Sequence, residues 1–236
     1  VYVNVMLIGN TDDEIKAIYA KNSDELAQEE FLYCAFLYTD NNKKLEIYTK
    51  YTEKFNKDWR GFNNLGVVQY ELNNLTASKT ALEKAKSLNA NATIFNNLGN
   101  VCLGLGEIEA AKEYYASATG IKEASFGQGI ISVKEGKYKA ATEYFGSDCS
   151  FNNALALLLN KNYDDAIAKA SCGPEKENAM NYYLKAIAYA RKGNKDEMFN
   201  NLRTAVSKDD SLKGKAKNDM EFFKYFEDAT FKEIIK

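Results

Sequence analysis

Two asparagine pairs are the side chains of this 236-residue chain best suited to bind another molecule. Asn63-Asn64 and Asn96-Asn97 stand inside the same five letters, Phe-Asn-Asn-Leu-Gly, which begin at residue 62 and again at residue 95. A carboxamide carries both a donor and an acceptor, so it can pair with a peptide backbone whatever the sequence of that peptide. The residue type and the 33-residue interval therefore favour recognition of an extended chain.

Catalytic chemistry has few candidates in this sequence. There is no histidine, which removes the commonest general base near neutral pH and the commonest zinc ligand. The acidic pairs, such as Asp164-Asp165 and Asp209-Asp210, fall at helix starts or on solvated faces, where nothing nearby supplies a pocket. The sequence therefore predicts no catalytic residue, no metal site, no cofactor and no enzymatic activity.

The four cysteines divide into two kinds. Cys34 and Cys102 stand in apolar helical stretches, which predicts buried, reduced thiols. Cys149 and Cys172 flank one short repeat and are candidates for a disulfide, but the sequence alone leaves that pairing open. Cysteine usage therefore does not fix the redox compartment.

The composition excludes two classes of partner. The net charge is −2, and only three of the 31 basic residues are arginines, so the basic stripe and the bidentate contacts of nucleic-acid binders are not expected. Residues 1–8 are apolar, but no run approaches the ~18 residues that a membrane span requires. The sequence therefore predicts neither nucleic-acid binding nor a direct membrane span.

The positions of these residues depend on the elements that carry them. Residues 1–10 alternate loosely and are rich in Val, which predicts a strand-like remnant of a preceding domain or a linker. Thr11 is expected to N-cap the next helix, because acids fill the first turn after it. Residues 11–58 are then predicted to form an N-terminal helical hairpin region, with helices over 24–38 and 43–55.

From residue 59 to residue 211 the pattern of helix, short turn and helix recurs. The first two repeats span 59–91 and 92–121, with turns at Asn73-Asn74 and Gly106-Glu107, and the third and fourth are too short for exact boundaries. Residues 212–236 are predicted to form a capping helix, because repeat arrays need an atypical terminal unit over the open end of the core. That segment carries Phe222, Phe223, Phe226 and Phe231.

This spacing resembles the tetratricopeptide repeat. The family's pattern of large and small residues is met in the second repeat by Phe95, Leu98, Gly99, Gly106, Ala111, Tyr115 and Ala118. Asn73 replaces the turn glycine of the first repeat, and Ala90 replaces the usual proline of the last turn. The small residues let the two helices approach and the large ones fill the gap. The resemblance implies an all-α, right-handed superhelical solenoid of helix hairpins.

In that family the first helix of each hairpin lines a concave groove. The resemblance therefore implies that a single set of side chains faces a ligand: Arg60, Asn63, Asn64, Tyr70, Asn96, Asn97 and Asn100, with Asn152 or Asn153 in the fourth repeat according to a one-residue register. Our hypothesis is that Asn64, Asn97 and Asn152 hold an extended peptide. The alternative is that Asn63 and Asn96 cap or solvate their helices.

These observations predict a non-enzymatic protein–protein interaction scaffold that binds a peptide or protein segment in the groove. The alternative is a structural spacer or self-association module of a multidomain cell-envelope protein. The layout resembles the repeat tail of OmpA-type envelope proteins of Gram-negative bacteria, which implies a place in the periplasm or cell envelope, with envelope components as partners. Otherwise a cytoplasmic place is expected. The identity of the partner and the oligomeric state stay open.

Overall fold

The computed structural model describes residues 9–236, and within that range it contains helices and no strand. The strand-like segment predicted over residues 1–10 lies, apart from its last two residues, outside the described residues. The chain divides into two compact units, the first ending at Ala124 and the second beginning at Ser125. Stacked helix hairpins, as predicted, build both units.

Seven α-helices of the first unit lie within the described range. In chain order they are α1 (Asp12–Asn22), α2 (Gln28–Cys34), α3 (Asn41–Lys54), α4 (Trp59–Glu71), α5 (Leu75–Leu88), α6 (Ala92–Leu105) and α7 (Ile108–Ser117). Short 3-10 helices at Ser23–Glu25 and Ala35–Leu37 flank α2.

The start of α1 confirms the predicted N-cap. The Thr11 side chain accepts from the backbone N–H of Glu14, and the Glu14 carboxylate accepts in return from the Thr11 N–H at 2.8 Å. The predicted continuous helix over 24–38 is wrong. Leu26 is extended and only 3% exposed, because its side chain reaches the core only when the chain leaves the helical path before α2 begins.

Aromatic rings fill the core of the first unit around α2. Phe31 is 1% exposed and meets the rings of Tyr19 and Tyr51 edge to face, with centroids 5.8 and 5.7 Å away. Edge-to-face pairs of this kind add roughly 0.5–1.5 kcal/mol each beyond their burial. This cluster anchors α1 and α3 against α2.

Small residues let the helices of each hairpin approach, as the sequence predicts. A Cβ atom on Gly99 would lie 2.5 Å from the Tyr115 ring, and one on Gly129 would lie 2.6 Å from the Phe145 ring. Neither distance is tolerable for a real side chain, so any larger residue would force the two helices apart. The glycine and the ring together therefore fix the spacing inside each hairpin.

The second unit continues the same pattern. Its elements are α8 (Lys122–Lys134, which crosses the boundary), α9 (Tyr138–Phe145), α10 (Phe151–Leu159), α11 (Tyr163–Ala170), α12 (Ala179–Lys192), α13 (Lys195–Lys208), α14 (Ser211–Asn218), a 3-10 helix (Met220–Tyr225) and α15 (Ala229–Ile234).

The hairpin turns need one residue in the left-handed backbone region. Gly136 and Gly193 supply it in two hairpins, with φ of +74° and +75°. Asn73 and Lys161 adopt the same region at φ +60° and +66° in the turns that have no glycine. Asn73 thus takes the place of the turn glycine, as the sequence predicts, and Lys161 holds a conformation that costs a residue with a Cβ atom roughly 1–2 kcal/mol.

A disulfide joins the two long loops of the second unit. Cys149, after α9, is bonded to Cys172, after α11, with the Cα atoms 5.4 Å apart. Asn153 adds hydrogen bonds from its Nδ2 to the carbonyls of Gly146 (3.1 Å) and Asp148 (2.8 Å). The pairing that the sequence left open is therefore present, and α10 is held at its start by both devices.

The C-terminal segment covers the core but is not the single helix that the sequence predicts. Asp219 and Asp228 each N-cap a new helical segment, because their side chains accept from the backbone N–H groups two residues ahead at 3.1 and 2.8 Å. The C-terminal segment therefore forms three short helical pieces. Phe222 and Phe231 are fully buried, and Phe222 meets the Tyr183 ring of α12 at 5.6 Å. Its packing is that of a cap.

Candidate functional site

The two asparagine pairs lie on the first helices of neighbouring hairpins, α4 and α6. Asp58 and Asn91 cap those helices, with side-chain oxygens that accept from the N–H groups of Arg60 (3.0 Å) and Ile94 (3.1 Å). Asn63 and Asn96 are instead buried, each 8% exposed. The interpretation that these two residues cap or solvate their helices is therefore wrong.

Hydrogen bonds link the carboxamides across the two helices. Asn97 donates from Nδ2 to Oδ1 of Asn63 at 2.9 Å, and Asn63 donates from its own Nδ2 to Oδ1 of Asn64 at 3.2 Å. Burial raises the pKa of Tyr48 on α3 to about 12, although a hydrogen bond from Asn64 opposes the shift. We call this run from Asn97 through Asn63 and Asn64 to Tyr48 the asparagine chain.

A cavity of about 160 Å³ adjoins the asparagine chain on its α3 side. One wall is the ring of Phe36, which is 69% exposed. Lys44 and Glu71 bring opposite charges to the cavity, and neither has an ion-pair partner among residues 9–236. The lining residues are Ala35, Phe36, Lys44, Tyr48, Asn64, Val67, Val68 and Glu71.

Two more predicted site residues, Tyr70 and Asn100, lie farther along α4 and α6. The Tyr115 hydroxyl donates to Oδ1 of Asn100 at 2.8 Å, and burial raises the pKa of Tyr115. The ring of Tyr70, which is 41% exposed, lies beside Gly104. Tyr70 and Asn100 therefore extend the polar surface that Asn64 and Asn97 begin.

Other predicted site residues have different surroundings. Arg60 forms ion pairs with Glu29 (2.7 Å) and Asp58 (2.8 Å), so its charge is matched inside the first unit. Oδ1 of Asn96 is buried without a hydrogen-bond partner in the described part of the chain. Asn152 lies half-buried on α10 of the second unit, where its neighbour Asn153 is the buried residue at 1% exposure.

The remaining reactive groups are occupied or inert. Burial raises the pKa of the Cys34 and Cys102 thiols to about 11, so both stay protonated and unreactive at neutral pH. Across residues 9–236, no group of acidic or cysteine side chains is arranged to hold a metal ion. No described helix is long and apolar enough to cross a membrane.

Sequence reasoning missed the aromatic part of this site. Phe36 and Tyr48 were not singled out, since nothing in their spacing distinguishes a cavity wall from a core residue. The only usable signal is a surplus: the run from Phe31 to Tyr38 holds four large rings, more than one short helix can bury on its inner face. Phe36 and Tyr33, at 69% and 45% exposure, are that surplus.

Comparison with known proteins agrees with this architecture. Residues 60–91 and 92–125 each match the sequence model of the tetratricopeptide repeat. A curated relative, the BBSome complex member BBS4 of Bos taurus, is 26% identical over 129 residues, which is 52% of this chain. The match spans only 25% of that protein's length.

Solved structures share the fold. One is YrrB, described as a TPR protein with an unusual peptide-binding site, with a TM-score of 0.58 and 21% identity, covering 72% of this chain and 98% of that one. Another is PilF of Pseudomonas aeruginosa, with a TM-score of 0.65 and 18% identity, covering 91% and 97%. At these identities the likeness is one of fold.

Proposed function

Since residues 60–125 carry two tetratricopeptide repeats, an architecture that binds protein and peptide partners, we propose that this chain is a non-enzymatic scaffold. Its ligand is an extended peptide that lies along α4 and α6. The observation that carries this proposal is the asparagine chain, because hydrogen bonds already hold its carboxamides in fixed orientations. Groups oriented in advance lose little conformational entropy on binding.

The unused hydrogen-bonding capacity of the asparagine chain suits a peptide backbone. Asn97 gives one N–H to Asn63, and no described residue bonds its oxygen. A backbone N–H of the ligand would meet that oxygen, and a backbone carbonyl would accept from the free N–H of Asn97 or Asn64. The adjoining cavity would take one apolar side chain of the same peptide against Phe36 and Val67.

The similar proteins support a peptide ligand but do not identify which peptide it is. YrrB is described as having a peptide-binding site, and we infer the same class of ligand for this chain from its own side chains. Lys44 and Glu71 at the cavity would favour a ligand with charges of both signs near its apolar residue.

The test is selection of peptides from a displayed random library, followed by anisotropy titrations with the recovered peptides. We expect the Asn64→Ala/Asn97→Ala variant to bind about tenfold more weakly or worse, since two hydrogen bonds to the ligand are lost. Asn200→Ala is the matched control, because Asn200 is an exposed asparagine on α13.

A second variant separates binding from folding. Val67→Phe fills the cavity without removing any hydrogen bond of the asparagine chain, so it should weaken binding while thermal unfolding stays close to that of the wild type. Unchanged affinity in both variants would reject this site.

The disulfide supports a place for the chain outside the reducing cytosol. Structural disulfides persist in oxidising compartments, of which the bacterial periplasm is one, and Cys149 and Cys172 form such a bond here. We therefore keep a periplasmic or envelope location as part of the proposal. Separation of cell fractions, followed by thiol labelling under denaturing conditions, would test it.

One observation favours the alternative function of self-association. Met220 and Phe223 on the C-terminal cap are 70% and 54% exposed, which is unusual for a segment that closes a core. Sedimentation velocity of the wild type beside a Met220→Ser/Phe223→Ser variant would decide. A wild-type dimer that becomes a monomer in the variant would support self-association. A monomer in both samples would reject self-association and retain only the scaffold function.

A further inference from the structure

Two loops of the second unit are joined by a single covalent bond. The first loop, residues 146–150, leads from α9 into α10, and the second loop, residues 171–178, leads from α11 into α12. Cys149 and Cys172 form the disulfide between them, and both cysteines are half-buried. The bond therefore lies close to the surface of the unit, where a small thiol can approach it.

An asparagine near the start of the next helix holds each loop separately. Asn153 of α10 donates from Nδ2 to the carbonyls of Gly146 and Asp148. Asn181 of α12 donates from Nδ2 to the carbonyl of Glu175 at 2.7 Å. Both asparagines are buried, at 1% and 4% exposure. Each loop is therefore attached to its own helix by contacts that do not involve the disulfide.

No hydrogen bond or ion pair joins the two loops to each other within the described part of the chain. Glu177 of the second loop is bound instead from α12 and α13, by the Tyr182 hydroxyl at 2.7 Å and by Lys208 at 3.6 Å. Lys169 donates to the Ser147 carbonyl of the first loop at 2.9 Å, but Lys169 belongs to α11. The disulfide is therefore the only bond from one loop to the other.

The backbone of the second loop passes very close to Cys149. Gly173 has a φ of +79°, and a Cβ atom placed on it would lie 2.5 Å from the Cys149 carbonyl oxygen. Only glycine permits this approach, because a Cβ atom does not come so near to a backbone oxygen. The bond and the glycine together bring the second loop directly against the chain that enters α10.

A buried apolar cluster joins the three helices around these loops. It consists of Ala154, Leu157, Leu158, Ala166, Ala170, Leu184 and Ala188, which belong to α10, α11 and α12. None of these residues is part of either loop. Loss of the disulfide should therefore lower the stability of the unit and release the loops from each other, while the helices stay packed.

The starts of α10 and α12 also line an apolar pocket. Phe151 and Met180 lie on the wall of a cavity of about 300 Å³ between α10, α12 and the start of the C-terminal cap. The floor of this pocket consists of buried Leu158, Tyr183 and Leu184. The separation of the two helix starts therefore sets how open the pocket is.

We propose that the disulfide between Cys149 and Cys172 is a redox-sensitive switch that sets the opening of this pocket. In the oxidised form the second loop is held against the start of α10. In the reduced form the second loop moves away from α10 together with the start of α12, and the unit stays folded. The switch uses no residue of the asparagine chain, so it stands apart from the proposed function.

The co-reactant of this switch is a dithiol. One thiolate of the dithiol attacks a sulfur of the protein disulfide, whose sulfur–sulfur bond breaks, and a mixed disulfide forms. The second thiol of the same molecule then displaces the protein sulfur. The dithiol leaves as a disulfide, and its two electrons and two protons convert Cys149 and Cys172 to thiols.

Titration with reduced dithiothreitol in the absence of denaturant tests the switch. The chain should show no reactive thiol before reduction and two afterwards, because Cys34 and Cys102 are fully buried. In a sample with ¹³C-labelled methionine methyls, the Met180 signal should move on reduction. The Met198 signal should stay in place, because that side chain is fully buried on α13.

The Cys149→Ser/Cys172→Ser variant is the control for reduction elsewhere. Its Met180 signal should coincide with that of the reduced wild type, and dithiothreitol should not change it. A Met180 signal in this variant that matches the oxidised wild type would contradict the proposal.

A substitution at Gly173 tests the contact between the loops. Gly173→Ala should favour the reduced form, because the added Cβ atom clashes with Cys149 while the bond holds the loops together. In a fixed mixture of reduced and oxidised dithiothreitol, the ratio of oxidised to reduced protein should fall about tenfold. Gly193→Ala is the matched control, since its φ is +75° and nothing lies within 4 Å of the added Cβ atom. An equal ratio in the two variants would overturn the proposal.

Three further results would also overturn it. The first is a disulfide that dithiothreitol reduces only in denaturant, which would make the bond purely structural. The second is a Met198 signal that moves on reduction to its position in denaturant, which would mean that the unit unfolds. The third is a Met180 signal that is the same in both redox states. Peptide binding along α4 and α6 should not depend on dithiothreitol, so failure here is distinguishable from failure of the proposed function.

Discussion

The two units use the same architectural position for opposite chemistry. In the first unit, the first helices of two hairpins present Asn64 and Asn97, and hydrogen bonds hold those carboxamides. In the second unit, the corresponding helices α10 and α12 present Leu155, Met180 and Ile187. Carboxamides recognise a backbone without regard to sequence, whereas an apolar pocket selects a side chain. The same helix position thus carries polar side chains in one unit and apolar side chains in the other.

The units also differ in what stabilises them. The first depends on aromatic packing around Phe31 and on the Arg60–Asp58 ion pair. In the second unit the hairpin of α10 and α11 is short, and a covalent bond joins the loops on either side of it. Short helices bury less apolar surface, so a crosslink compensates for what packing does not provide.

The largest effect should come from the disulfide. The Cys149→Ser/Cys172→Ser variant should lose about 3 kcal/mol of stability in the second unit, because a loop closed over 23 residues is freed in the unfolded chain. Hydrogen exchange of α10 and α11 should accelerate, while exchange of α4 and α5 stays unchanged. Equal acceleration of exchange in both units would show that the disulfide does not stabilise the second unit selectively.

A smaller effect is expected at the charged pair of the first unit. Burial would raise the pKa of Asp58, but hydrogen bonds from Arg60 and Tyr51 outweigh burial and lower it well below its usual range. A carboxylate with a lowered folded-state pKa stabilises the fold above its unfolded pKa of about 4, and that contribution is lost as the pH falls through the folded value.

Asp58→Asn should therefore lower the free energy of unfolding by about 1–3 kcal/mol at pH 7, and the deficit should shrink below about pH 4. Trp59 is the only tryptophan and lies next to Asp58, so its fluorescence during urea unfolding reports on the first unit. A deficit that is independent of pH would point to lost packing instead of lost charge. Glu221→Gln, whose wild-type carboxylate is bound by Arg191 and has a lowered pKa, is the parallel variant in the second unit.

Two buried asparagines should respond in opposite ways. Asn153→Leu removes two hydrogen bonds to loop carbonyls and should destabilise the second unit by about 1–3 kcal/mol. Asn96→Leu removes an oxygen that has no partner, so its effect should be near zero or stabilising. Urea midpoints of both variants would check this, and equal losses would contradict the assignment of hydrogen bonds.

The smallest effects should come from the turns without glycine. Lys161→Gly should stabilise the second unit by up to about 1 kcal/mol, because the left-handed backbone region is unfavourable for a lysine. Asn73→Gly should raise the free energy of unfolding by only a few tenths of a kcal/mol, because asparagine tolerates the left-handed region well. Thermal melts of both variants would rank the two gains, and an equal or reversed ranking would reject the role of backbone strain.

Regular features of the fold could be read from the sequence. The small and large residues of the second repeat predicted the close approach of Gly99 to Tyr115, because that contact depends on local spacing. The broken helix near Leu26 could not be predicted, because a buried leucine pulls the chain out of a helix only once its partners are in place.

The site was predictable only in part. The repeat identified Asn63, Asn64, Asn96 and Asn97. Which residue of each adjacent pair is buried depends on the rotation of the helix about its axis, and that rotation is determined by packing. The apolar pocket of the second unit gave no signal, because its residues have the composition of an ordinary core. Pairing of Cys149 with Cys172 likewise depends on the distance between two loops.

The contact between glycine and ring has a consequence for how such a chain changes over evolutionary time. Gly99 with Tyr115, and Gly129 with Phe145, each close a hairpin using residues from that hairpin alone. A segment that carries its own closing contact can be duplicated or deleted without altering the contacts that close the others. Gene duplication can thus change the number of hairpins while the side chains on the first helix of each copy diverge.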